Sequence, residues 1–250
     1  MLWIPLAFIS CVEQSKIENT TFDNETKGVD LSSVIYNIKW DKKGIKHHDS
    51  GGWTVQTDLG YKVYLRKGFL VTYGATLSRC KVSKDKGTLW FPDFLFSTAW
   101  AGHGLYQDPS AVHTTIVEDL STLKNRVLGS ASFPKTSYCG TEMLLARSDA
   151  KTQNLPKDID MLQYSLYLDL LWSKEDSKPV PLEVKIKISH SGSASFSNIS
   201  AQGNSLSITQ TRLSSGLFDQ IDFKTEIPER AARQVLRNVI KDAVWSFTVE

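Results

Sequence analysis

The sequence predicts an all-β protein, an antiparallel β-sandwich with one peripheral C-terminal helix and long loops. From residue 34 onward, apolar side chains alternate with polar ones, which is the period of a strand with one buried face. Glycine, asparagine and proline interrupt this alternation at short intervals, as turns do. Helical periodicity is strong in one segment only, close to the C-terminus.

The first clear strands are predicted between Trp53 and Leu77. Residues 53–57 alternate, and a second run keeps its apolar side chains on odd positions from Tyr61 onward. Because this second run is too long for one straight strand, we expect Gly68 to introduce a bulge or bend that divides it.

The later part of the chain predicts a hairpin and three more strands. Residues 162–172 and 182–188 both alternate, and a polar turn that contains proline separates them. Three short strands are expected over residues 193–200, 205–212 and 243–249, between turns that carry glycine and asparagine.

Helices are predicted to be few. One runs from Pro228 to about Ala243, since proline is tolerated in the first turn and the apolar residues that follow form one stripe. A second helix is expected over residues 115–124. The sequence contains no internal repeat and no second domain boundary, so residues 32–250 are predicted to form a single β-sandwich domain.

The N-terminus is typical of a bacterial lipoprotein signal. Residues 1–11 form an apolar run, too short to span a bilayer, that ends in Ser10 and Cys11. A small residue before an acylated cysteine is the lipobox pattern, although the positive charge of a secretory signal is absent. The alternative is a buried first strand. Residues 12–31 are polar and predict a flexible tether, so we expect a protein anchored by lipid at Cys11 in the bacterial cell envelope, periplasmic or on the outer surface.

The cysteines favour the same compartment. If Cys11 carries the lipid, Cys80 and Cys139 remain, and an even remainder suits one disulfide bond in an exported protein. The alternative is a pair of reduced cysteines in the core.

Charge and motifs exclude several classes of function. Lysine plus arginine number 29 against 27 for aspartate plus glutamate, with no basic run, so nucleic acid is not an expected partner. The sequence has no glycine-rich phosphate loop, nucleophile elbow or His-Glu-x-x-His motif. We therefore predict that the protein is not an enzyme.

Histidines in segments without periodicity are the candidate metal ligands. His103 lies between glycines in the stretch STAWAGHGLY, His113 follows it, and His47 and His48 are adjacent earlier in the chain. Imidazole is the commonest protein ligand for copper and zinc, and binding groups concentrate in loops. The alternative is that these histidines are ordinary polar loop residues.

Four stretches together resemble the MbnP-like family, bacterial exported proteins that are associated with copper and with methanobactin-type operons. They are residues 52–63, 101–104, 138–140 and 216–223. The resemblance covers residues 34–249 and implies an extracytoplasmic β-rich domain that binds copper. It also implies a di-haem peroxidase-like partner that oxidises a tryptophan.

The family motif carries a second histidine shortly before the position of His103. In this sequence Trp100 and Ala101 stand there, so a metal site needs another imidazole, from His47, His48 or His113. The departure also leaves Trp100 as a candidate for the oxidised tryptophan or for a side chain next to the metal.

Two functions are therefore expected as alternatives. The first is a lipid-anchored protein that binds copper through His103 and a second histidine. The second is a metal-free surface module that binds glycan or protein on a platform of Trp53, Trp90 and Trp100.

Overall fold

The protein is seen in a computed structural model that describes residues 32–80, 109–133, 137–200 and 205–249. Over these ranges the chain forms twelve strands and one helix, which confirms the predicted all-β class with a single C-terminal helix. The elements are β1 (Ser32–Asp41), β2 (Lys46–His47), β3 (Trp53–Gln56), β4 (Tyr61–Arg79), β5 (Ile116–Asp119), β6 (Arg126–Phe133), β7 (Ser137–Leu145), β8 (Leu166–Lys174), β9 (Val180–Ile186), β10 (His190–Ser200), β11 (Leu206–Leu213), α1 (Pro228–Lys241) and β12 (Val244–Val249).

The strands form two sheets. One has four strands in the order β12-β11-β1-β6, and the other has eight, with the path β10-β7-β4-β3-β2 and with β5, β8 and β9 joined to it through β4. Every described pair is antiparallel except β1 with β11, which run parallel from Val34 beside Leu206 to Asp41 beside Leu213. The antiparallel sandwich is confirmed, and the parallel pair is a feature that the alternation does not predict.

Strand β4 is the long axis of the eight-stranded sheet. Its first half pairs with β3 and β8, and its second half pairs with β7. The register shifts between Leu65 and Lys67 and again between Thr72 and Gly74, where β4 passes from β8 to β7. Irregularities are therefore present on both sides of Gly68, but Gly68 itself stays paired with Leu168, and the expected division is wrong because β4 is one strand.

Apolar side chains from both sheets meet in one core, to which residues such as Tyr36, Leu65 and Ile208 contribute. A smaller cluster lies on the outer face of the eight-stranded sheet, where Phe69 packs with Tyr167 and their neighbours. Strand β5 contributes Ile116 to the main core and Val117 to the smaller cluster, so both of its faces are buried. This is why residues 115–124 have no strand-like alternation, and why the helix predicted there is wrong.

Helix α1 closes the side of the sandwich. Its apolar stripe, which includes Ala232, Val235 and Val239, is buried in the main core, and the helix packs against β9 and β10. The observed end at Lys241 lies two residues before the predicted one. The predicted C-terminal helix is confirmed.

A buried ion pair joins the two sheets. Arg212 on β11 donates from Nη1 to Oε1 of Glu118 on β5 over 2.6 Å, and neither side chain reaches solvent. Trp40 Nε1 and Thr72 Oγ1 also donate to the Glu118 carboxylate, while Arg212 Nε donates to Gln210 Oε1. A buried charge is tolerated only when it is paired and hydrogen-bonded in this way. We interpret the network as a structural link, since no ligand can reach it from solvent.

Candidate functional site

A disulfide bond joins the end of β4 to the start of β7. The Cα atoms of Cys80 and Cys139 lie 4.8 Å apart, and the bond closes 59 residues of sequence. The predicted disulfide is confirmed, and the alternative of two reduced core cysteines is wrong. We call the part of the sandwich between Gly74 on β4 and this bond the disulfide end.

Several strands begin or finish at the disulfide end. In the four-stranded sheet, the register sets the starts of β1 and β11 beside the ends of β6 and β12. In the eight-stranded sheet, the ends of β4 and β10 lie beside the start of β7. The connection from β6 to β7 therefore joins the two sheets at this end.

The segment 81–108 is attached to the disulfide end at both of its ends. It follows Cys80 directly. On its far side, Val112 forms an antiparallel bridge with Ala75, so residues 109–111 lie beside the part of β4 that leads to Arg79. Tyr36 contacts these residues as well, because its hydroxyl donates to the carbonyl oxygen of Ser110 over 2.9 Å. The segment contains His103, Trp100 and Trp90, which lie outside the described residues, as do Cys11 and the predicted signal and tether.

His113 lies on the path by which the chain leaves this end. The side chain of His113 is exposed, and its Cα lies beside Gly74 of β4. A methyl group added to Gly74 would lie 2.4 Å from the carbonyl oxygen of Val112. Only glycine at position 74 allows the two backbones to approach this closely. Gly74 lies six positions before Cys80, a distance of about 20 Å along the chain.

His47 and His48 lie at the opposite end of β4, which we call the hairpin end. His47 is exposed on the edge strand β2, opposite Trp53. The ring of His48 packs edge-on against Tyr64, with 4.9 Å between centroids, and its Nε2 is 2.6 Å from Thr54 Oγ1. His48 therefore already has a hydrogen-bonding partner within its own hairpin.

The structure does not bring the described loop histidines together. Tyr64, next to His48, and Gly74, next to His113, are ten residues apart on β4, or about 33 Å. The ten residues from His103 to His113 span at most about 35 Å when fully extended. A site shared by His103 and His48 would need nearly complete extension of that segment along β4, whereas a site shared with His113 would not. In the described ranges, no three His, Cys, Asp or Glu side chains form a group that could hold a metal.

The predicted tryptophan platform is wrong for one of its three members. Trp53 is completely buried, and its indole nitrogen donates to the carbonyl oxygen of Leu120 over 2.7 Å. The alternation that identified Trp53 as a strand residue also directs its side chain into the core. The other two members, Trp90 and Trp100, lie outside the described residues. The described part of the chain therefore contains no exposed tryptophan of the predicted platform.

A cluster of arginines on α1 was not among the predicted site residues. Arg230, Arg233 and Arg237 line a cavity of about 250 Å³ together with residues of the preceding segment, and we call this surface the arginine face. Burial, followed by the charge of Arg237, lowers the pKa of His190 at the start of β10. The signal was present in the sequence, because basic residues recur at intervals of three or four within the predicted helix.

Known proteins add little to this description. No protein-family model matches the chain. No curated protein matches it. Among solved structures, the chain is similar to MbnP from Methylosinus trichosporium, with 12% identity, coverage of 72% of this chain and 75% of that chain, and a TM-score of 0.28. This loose likeness is to the family that the sequence resembles, and a likeness at this level carries no information about what the chain binds. In the described part of the chain, no helix has the length and apolar character needed to cross a membrane.

Proposed function

We propose that this chain is an exported protein of the bacterial cell envelope that binds copper at the disulfide end, with His103 and His113 as ligands. The observation that carries the proposal is the course of the chain around β4. Both attachments of the segment that contains His103 lie at the disulfide end, and His113 is exposed one residue after the Val112 bridge on the returning side. His47 and His48 belong to the other end.

The chemistry of the two side chains suits the metal. Neutral imidazole is a good ligand for copper. In this proposal His113 supplies the second imidazole that the sequence around His103 lacks. The resemblance of residues 101–104 to the MbnP-like motif supports copper over zinc. His47 and His48 are not part of this proposed site.

The disulfide supports the proposed compartment. Such bonds persist in oxidising environments such as the bacterial periplasm and the cell surface, and they are rare in the cytosol. We propose that Cys11 carries the lipid and that residues 12–31 tether the domain to the membrane. Replacement of Cys11 by serine should then move the protein from the membrane fraction to the soluble fraction of the envelope.

Copper binding is tested by equilibrium dialysis of the purified protein and four variants. The wild type should bind one copper ion, and His103→Ala or His113→Ala should each weaken binding by at least about tenfold, because each removes one of two ligands. His47→Ala and His48→Ala are matched controls that should leave binding unchanged. Absence of binding in the wild type, or equal loss in all four variants, would contradict the proposal.

A further inference from the structure

The arginine face on α1 is a second candidate site, separate from the disulfide end. We propose that it binds the phosphate group of an anionic ligand between Arg233 and Arg237. The site lies on an element that the copper proposal does not use, so the two proposals stand or fall independently.

The packing of α1 fixes the backbone positions of these arginines. Ala232, Val235 and Leu236 on the same turns are buried in the main core, so the helix cannot rotate without exposing them. Arg233 and Arg237 are therefore held on the solvent side, one turn apart. Because the helix is anchored in this way, the two side chains start from a rigid scaffold.

The surface at this position is concave. The segment before α1 approaches the helix, and the cavity of about 250 Å³ has a wall on each side; its lining is Gln220, Ile221, Glu226, Arg230, Ala231, Arg233, Gln234 and Arg237. A cavity of this size is smaller than a typical pocket for a drug-sized ligand, and it is large enough for a phosphate group and a few attached atoms. The concavity distinguishes this face from an ordinary solvated helix surface.

The charges on this face are not balanced within the protein. Arg230 is 3.5 Å from Glu226, the one carboxylate in the lining. Among the residues that the structure describes, no carboxylate oxygen lies within 4.0 Å of Arg233 or Arg237. Like charges four residues apart weaken a helix, and Arg233, Arg237 and Lys241 form such a series. A bound anion would relieve this repulsion.

The donors favour a phosphate group. A guanidinium group offers a planar fork of N–H donors that matches two phosphate oxygens at once. Two such groups one helical turn apart can contact a tetrahedral anion from two directions, which a planar carboxylate accommodates less well. Glu226 lies at the Arg230 end of the cavity, so the anion is expected at the other end, nearer Arg237.

Two probes test the proposal with the full-length Cys11→Ser variant, because a lipid on Cys11 would by itself carry the chain to vesicles. Inorganic phosphate is titrated while amide chemical shifts are recorded, and co-flotation is measured with phosphatidylcholine vesicles that contain or lack phosphatidylglycerol. The double variant Arg233→Gln/Arg237→Gln should weaken binding by at least about tenfold, and Arg237→Lys should weaken it less, since lysine keeps the charge and loses the fork. The double variant Lys151→Gln/Lys157→Gln is the control, because it removes the same charge from exposed positions on another surface.

The pattern of results identifies the source of the phosphate group. A response to inorganic phosphate without co-flotation indicates a small phosphorylated compound. Co-flotation that requires phosphatidylglycerol indicates a lipid headgroup. Either result supports the site if the arginine variants weaken the binding and the lysine control does not. Binding of neither probe would overturn the proposal. Equal weakening in the lysine control would also overturn it, because net charge alone would then explain the binding.

Discussion

The two ends of the sandwich are closed in different ways. At the disulfide end, a covalent bond holds β4 to β7, at the point where a long segment leaves and returns. At the hairpin end, closure depends on weaker contacts: Tyr61 packs edge-on against Trp172 and Phe223 and donates its hydroxyl to the carboxylate of Asp222.

This difference bears on the proposed metal site, because each end has an exposed histidine. At the hairpin end, Tyr61 and Asp222 close the fold, His48 is bonded within its own hairpin, and His47 is exposed. At the disulfide end, Phe133 packs edge-on against Tyr138 next to the bond, and His113 is exposed. If the disulfide end binds copper as proposed, contacts that hold the hairpin end should affect stability alone, and those at the disulfide end should affect stability and copper binding together.

The largest effect is expected from the disulfide. Cys80→Ala with Cys139→Ala should lower the free energy of unfolding by about 4 kcal/mol, because the bond closes 59 residues and restricts the unfolded chain. Urea unfolding measures this change, and copper affinity should fall in the same variant. Reductant should destabilise the wild type and leave the double variant unaffected. A variant as stable as the wild type would contradict the importance of this bond.

The effect of the ion pair that links the two sheets should be next in size. Arg212→Met leaves the carboxylate of Glu118 buried and without its main partner, and it should cost about 3 kcal/mol in urea unfolding. Arg66→Met is the control, since its partnership with Asp169 is exposed and should contribute less than about 1 kcal/mol. Equal costs for the two variants would show that the buried pair is not a structural link.

A smaller effect is expected from the turn at the hairpin end. Gly52 and Gly51 both have a positive φ, but only at Gly52 would a methyl group meet backbone, 2.1 Å from the carbonyl oxygen of Leu65. Gly52→Ala should cost about 2 kcal/mol and Gly51→Ala about 1 kcal/mol. Thermal unfolding measures both, and copper affinity should not change in either. Weaker copper binding in Gly52→Ala would break the division between the ends.

The smallest effect concerns acid. The hydrogen bond from Tyr61, followed by that from Thr225, lowers the pKa of Asp222 below its ordinary value of 3.8. A carboxyl whose pKa is lowered by folding stabilises the protein above its unfolded pKa and loses that contribution as the pH falls through its folded value. Tyr61→Phe should therefore raise the pKa of Asp222 in an NMR titration. Tyr64→Phe is the control, because Tyr64 donates to the carbonyl oxygen of Gly51 instead.

Periodicity predicts the parts of this fold in which one face is buried and the other is solvated. Strand β9 and helix α1 are of this kind, whereas β8 has buried residues on both faces and β12 alternates only between half-buried and exposed residues. Strands β6 and β7 were not predicted, because small polar residues break their alternation.

The distance between the candidate histidines depends on the register of β4 with strands far away in sequence. His48 and His113 look equivalent as loop residues, and only the pairing along β4 assigns them to different ends. The arginine face is different, since the spacing of its basic residues within a predicted helix was visible in the sequence. The cavity beside these arginines could not be predicted from the sequence, because it forms only where α1 packs against the preceding segment.

The central claim is that the disulfide end, and not the hairpin end, holds the metal. Pulsed EPR of the protein loaded with one equivalent of Cu(II) counts the imidazoles bound to copper and tests this directly. The account predicts two imidazoles in the wild type and in the variant His47→Ala/His48→Ala, and one in His113→Ala. An unchanged count in His113→Ala, together with a lower count in the His47 and His48 variant, would contradict it.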